Sequence, residues 1–335
     1  MPRFNTRFLT LALAGLILST VSSARADKVT LVVGGTGPDG GPANGAQTSK
    51  PFAVIFDAAG NMYIGEFGGQ RVRKVDTHGI ISTIAGTGKV GSAGDGGPAT
   101  AAECNFIHDL VIGPDGNLYV ADSFNRKIRK IDLTTGIITA FAGTGEGKKP
   151  AGDGGPAAKA TLDGVASLWF SRDGQTLYLS GFSKSVRTID LKTGIINTLP
   201  GVQGGRSIAL DSKGNLYVAG GQTLSVRTPD GMVKVLLDKT HMGQSDEPLG
   251  SNPKHLGIDA SDNVLICDEQ HNKLREYIPA EDKLVTIMGT GKPGSEGLDG
   301  ALEKAQLNRP HGVLFHDGAI YLCDSWNDRV VRIER

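Results

Sequence analysis

One phrase recurs along the whole chain. The segments "DAAGNMYIGE", "GPDGNLYVAD", "SRDGQTLYLSG", "DSKGNLYVAG", "ASDNVLICDE" and "HDGAIYLCD" each combine a tight turn with an alternating strand. The turn residue falls at Gly60, Gly116, Gly174, Gly214, Asp262 and Gly318, so successive copies are 56, 58, 40, 48 and 56 residues apart. After each copy come a second segment ("RVRKVD", "KIRKID", "SVRTID", "KLREYI", "RVVRIE") and a third ("ISTIAGTG", "IITAFAGTG", "IINTLPG", "LVTIMGTG"). Each unit therefore reads as four short strands joined by turns, the period of a propeller blade plus linkers of variable length. One such sheet exposes both faces to water, and six in a ring bury them against one another. The Asp-Gly and Lys-Gly pairs at the marker supply the positive φ of a two-residue hairpin turn.

The last unit is one strand short, and residues 28–37, "KVTLVVGGTG", match the fourth-strand phrase. The fold expected is an all-β, six-bladed propeller over residues 27–335, closed by the N-terminal strand in the last blade, which removes an open sheet edge. Residues 1–26 read as a signal peptide: Arg3 and Arg7, an apolar run over 8–21, and a small-x-small cleavage site at Ala24 and Ala26. We therefore expect an exported protein, periplasmic or secreted. Without Arg3, Arg7 and Arg25 the chain holds 32 basic and 35 acidic residues with no basic run, which disfavours nucleic acid as a partner. No second apolar stretch is long enough to insert into a membrane, and a monomer is expected. Three cysteines, Cys104, Cys267 and Cys323, are too few for a disulfide framework and read as buried free thiols.

The pattern "GDGGPA…N…GNLYVAD…NRKIRKID" resembles NHL repeats, and the resemblance covers nearly all of residues 27–335. It implies the propeller fold and leaves function open, because function resides in sites rather than folds. The linkers carry "PDGGPA" or "GDGGPA" at 38–43, 94–99 and 152–157. Each offers one aspartate, short of the clustered oxygens calcium prefers. We read them as tight turns followed by a short helical turn, shaping the rim of the central channel.

Aligning each unit backwards from its marker defines a slot just before strand one: Phe52, His108, Ala166, Arg206, Lys254 and His311. Strand one lines the channel of a propeller, so these six side chains should ring one mouth, with Asp109 beside His108 and His255 beside Lys254. Blades 2 and 6 stand roughly 120° apart around a six-bladed ring. Two imidazoles at that spacing can share one axial ion at about 2 Å each. The "RPHGV" and "FIHDL" stretches resemble the peptidyl-α-hydroxyglycine α-amidating lyases, NHL-type enzymes with a channel zinc. That resemblance implies His311 and His108 as ligands, with Arg206 in "GRSIAL" departing from the pattern and His255 as a possible third.

Other recurrent residues have repeat-level explanations. Glu66, Asp122, Asp268 and Asp324 end strand two, where a carboxylate is expected to bond its own loop backbone. Arg73, Arg129, Arg187, Arg275 and Arg332 recur on strand three. Tyr63, Tyr119, Tyr178, Tyr217 and Tyr321 sit on strand two, Tyr277 on strand three, and His271 in a turn facing solvent. Two functions follow. The first is a binding module whose mouth takes a peptide, an anionic small molecule or a protein partner through Phe52, Asp109, Arg206 and Lys254. The second is a metal-dependent lyase or hydrolase, with zinc on His108, His311 and His255 and Arg206 anchoring the substrate.

Overall fold

The chain forms six antiparallel sheets, four of them with their strands in sequence order, in a computed structural model that describes residues 27–334 apart from 184, 204, 246 and 299. The signal peptide expected at 1–26 lies outside the described residues. Blade 1 comprises Pro51–Phe56, Met62–Glu66, Arg71–Val75 and Ile81–Ala85. Blade 6 comprises Val313–His316, Ala319–Asp324 and Arg329–Glu334, and its fourth strand is Lys28–Val33, paired antiparallel from Lys28↔Glu334 to Val33↔Val330. Strand one of each blade packs against strand one of the next around the full circle, blade 6 against blade 1 included. The core lies between blades, where alternate strand residues such as Ile107, Leu118, Ile128, Ile131 and Ile138 are at most 1% exposed. Truncating one such side chain to alanine costs about 2–5 kcal/mol.

The marker residues adopt positive φ, from 64° at Asp262 to 84° at Gly60. The two-residue turn is realised in blade 6 alone among the described blades, where His316 pairs with Ala319 around Asp317-Gly318. In blades 1, 2, 4 and 5 the connection is longer and is organised by an aspartate. Asp57, for example, accepts from Ala59 N at 3.0 Å, Asn61 N at 2.9 Å and the Tyr63 hydroxyl at 2.9 Å. Tyr119 and Tyr277 donate in the same way to Asp115 and Asp282, so these tyrosines are committed at the end of the ring remote from the mouth.

The "DGGPA" linkers run along the outside of the blades, not at the channel rim. Pro42, Pro98 and Pro156 bridge to Ile80, Ile137 and Ile195 at the start of the outer strands, and each linker ends in a short 3₁₀ turn such as Ala99–Ala101. The reason is the strand-three arginines: Asp39, Asp95 and Asp153 each bind one, Arg73 at 2.9 Å, Arg129 at 2.9 Å and Arg187 at 2.6 Å. These arginines also reach linker carbonyls, as Arg129 Nη1 does to Glu103 O at 2.6 Å. In blade 6 this place belongs to Arg329, which donates to Asp324 Oδ2 at 2.7 Å; Arg332 points elsewhere and pairs with Glu334. The carboxylates that end strand two accept from backbone of the segment leading into their own blade, and Asp268 alone among the described residues also bonds its own loop, at His271 N. Asn105 N reaches Asp122 Oδ1 at 2.8 Å and Asn308 N reaches Asp324 Oδ1 at 2.7 Å.

Candidate functional site

The slot read from the sequence is a ring in space. Pairing of strands one and two places Phe52, His108, Ala166, Arg206, Lys254 and His311 at equivalent positions. A register break falls at this point in blades 1, 2, 3 and 5, and such bulges re-aim side chains. Serines tie neighbouring blades together here: Ser325 Oγ donates to Pro51 O and Ser180 Oγ to Arg206 O, both at 2.6 Å.

Three imidazoles converge. His108 and His311 have ring centroids 4.9 Å apart, and His255 lies 5.0 Å from His311. One ligand nitrogen from each lies within 4.8 Å of the other two. His255 comes from the residue after the slot: the blade 5 bulge spans Pro253 to Leu256, so Lys254 fills the ring and His255 sits one step further down the axis. It borders a cavity of 120 Å³ walled mainly by Val54, Leu110, Leu168, Leu256 and Val313. All three histidines are buried, and His108 Nδ1, His255 Nε2 and both nitrogens of His311 lack a partner. A buried polar atom without a partner costs about 1–3 kcal/mol, and native folds keep few of them.

The electrostatics favour neutral rings. Burial holds His108 and His311 well below the usual imidazole range, reinforced for His108 by Arg206 and for His311 by His108. Burial lowers His255 too, against the pull of Asp109, whose Oδ1 lies 3.9 Å from its Nδ1. Asp109 is itself fixed, accepting from Leu168 N at 2.7 Å and Leu110 N at 2.8 Å. Arg206 Nη2 lies 2.9 Å from His108 Nε2 and its guanidinium stacks over Phe182 at 5.0 Å, while its Nε has no partner. Lys254 is held by Glu269 at 2.9 Å, and Arg309 reaches the same carboxylate. Phe52 stacks on His311, centroids 3.7 Å apart. All the slot residues named from the sequence therefore meet at one mouth. His271 does not face solvent as expected: it is half-buried, with Asp268 at 2.9 Å and Glu247 at 3.1 Å. Cys267 and Cys323 are free buried thiols, as is Cys104.

Sequence reasoning missed an aromatic arc. The turn between strands two and three carries Phe67, Phe124, Phe182 and Trp326 in blades 1, 2, 3 and 6, against Gln222 and Glu269 in blades 4 and 5. Phe67 stacks on Phe52 at 4.1 Å, and Phe106 lies 4.5 Å from Phe67 and 4.8 Å from Phe124. The signal lay at the first or second residue after strand two, in turns read only as loop. A second feature was equally hidden. Two residues before the slot, the chain turns through left-handed backbone at Lys50 (φ 45°), Phe106 (59°), Gly164 (115°) and Arg309 (49°). The turn lets carbonyls bond the adjacent loop, Lys50 O with Phe67 N at 3.0 Å and Phe106 O with Ser123 N at 3.3 Å. Glycine suffices in blade 3, whereas a side chain there costs about 1–2 kcal/mol.

No protein-family model matches the chain. "Protein SUPPRESSOR OF QUENCHING 1, chloroplastic" of Arabidopsis thaliana is 26% identical over 311 residues, 90% of this chain and 27% of that protein. "NHL repeat-containing protein 2" of Gallus gallus is 27% identical across 84% of this chain and 46% of that protein. The six blades are in register with the repeat and agree with these likenesses to NHL-repeat proteins. The chain is a six-bladed β-propeller with NHL-like repeats. This NHL propeller spans less than half the length of either relative. Among solved structures, virginiamycin B lyase from Staphylococcus aureus superposes with a TM-score of 0.60 at 13% identity, covering 92% of the NHL propeller and 99% of that chain. At this identity the likeness is one of fold.

Proposed function

We propose that the mouth of the propeller holds a divalent metal ion, zinc first, on His108, His255 and His311, and that the protein is a metal-dependent lyase or hydrolase. One observation carries this reading: three buried imidazoles each leave a ring nitrogen without a partner, with one ligand nitrogen of each inside 4.8 Å of the others. The donor set fits zinc, which takes three protein nitrogens in catalytic sites and keeps a further position open. When bound, the ion supplies a Lewis acid. The chain's own residues do the rest. Arg206 binds and orients an anionic part of the substrate, Phe52 fixes the plane of the His311 ring, and Asp109 faces the far side of His255. The fold neighbour whose name records lyase activity is known as a catalytically inactive histidine-to-alanine variant, a further support for histidine chemistry on this fold.

A second reading, a binding module without metal, draws on Arg206, which already occupies His108 Nε2. Metal analysis of the purified propeller separates the two. The metal centre predicts close to one zinc per chain surviving gel filtration, removed by a chelator, and lost in the His108→Ala/His311→Ala double variant. Absence of bound metal after zinc is supplied to chelator-treated, folded protein leaves the binding module as the function.

A further inference from the structure

We propose that this mouth selects an amphipathic carboxylate, a ligand with an aromatic or bulky apolar body joined to a single carboxylate group. The inference rests on reading the mouth as the ligand site, and it holds whether or not a metal is bound there.

The rim is divided. Blades 6, 1, 2 and 3 present Trp326, Phe67, Phe106, Phe124 and Phe182, with Phe124 48% exposed. Blades 4 and 5 present Arg206, Lys254 and Glu269. Glu269 is committed to Lys254 and Arg309. The Arg206 guanidinium is left with an imidazole partner and a partnerless, buried Nε, the signature of a cation awaiting an acceptor. A carboxylate matches a guanidinium in shape and charge, while ring faces at this spacing take up another aromatic body.

The left-handed positions strengthen the case. The left-handed turn itself needs no side chain, because Gly164 serves blade 3. Phe106 uses this position to complete the stack with Phe67 and Phe124. Lys50 and Arg309 use it to lie over Trp326 at 5.2 and 4.4 Å. Side chains kept at strained backbone positions cluster at ligand clamps.

Calorimetry with 3-phenylpropanoate, acetate and 3-phenylpropanol, on chelator-treated and on zinc-supplied protein, tests the selection. The phenyl acid is expected to bind at least 10-fold more tightly than either partial probe. Phe106→Gly is expected to lose about 10-fold in affinity for the acid at a nearly unchanged melting temperature. Arg206→Gln is expected to abolish the difference between acid and alcohol. Acetate binding as well as the phenyl acid, or Phe106→Gly keeping full affinity while melting earlier, overturns the proposal and makes the arc a packing feature. Zinc failing to bind while the preference persists removes the metal centre and leaves this selection standing.

Discussion

The guanidinium of Arg206 meets Nε2 of His108 at 2.9 Å, joining blades 4 and 2 across the channel mouth. A cation one hydrogen bond from the triad opposes any second cation, and a charge-assisted bond of this kind contributes about 1.5–3 kcal/mol. Arg206→Gln should therefore raise zinc affinity, by about tenfold or more, in competition with a chromogenic chelator. Affinity that falls instead would show that Arg206 props the site open.

Asp109 confronts His255 from the opposite wall. From 3.9 Å the Asp109 charge favours a proton on His255 Nδ1, and outer partners of ligand histidines are worth about 10–100-fold in metal affinity. Asp109→Asn should weaken zinc by that factor while nitrogen-15 spectra of the metal-free protein show the His255 proton redistributing between ring nitrogens. An unchanged spectrum and affinity would reduce Asp109 to a backbone anchor for Leu168.

Arg129 is wholly buried and joins Asp95, Asp122 and two linker carbonyls. Removing one partner of a buried ion pair costs about 3–5 kcal/mol, so Arg129→Ala should shift the denaturation midpoint sharply. Arg332→Ala, at a pair nearer the surface, should cost no more than about 1 kcal/mol. Equal effects would contradict the assignment of the blade 6 role to Arg329.

Burial pushes the thiols of Cys104, Cys267 and Cys323 upward, so all three stay protonated where free cysteine ionises. Raising the pH from 7 to 9 should leave native protein almost unreactive toward a thiol reagent, while denaturant exposes three thiols. Rapid native labelling at pH 9 would show that the inter-blade packing opens.

The propeller was legible because its period, turn glycines and alternating strands recur six times. The slot was legible for the same reason, and counting back from Gly116 and Gly318 found His108 and His311. His255 was harder to place, since a bulge, which no residue pattern announces, carries it one step down the axis into the triad. The linkers were misplaced because their anchor, an aspartate on Arg73, Arg129 or Arg187, is a contact between distant segments. The left-handed backbone of Lys50, Phe106 and Arg309 was invisible because those residue types ordinarily avoid it.

The pairing of Lys28–Val33 with Arg329–Glu334 sets the order of events during folding. The earliest strand of the ring waits for the latest, with Val29 and Val33, both buried in the finished ring, left bare in the interval. Contacts between such distant segments form slowly, and an unsatisfied edge invites pairing with other chains. A holding chaperone would find its client in that interval, and a peptide copying the final strand would arrest the ring before it shuts.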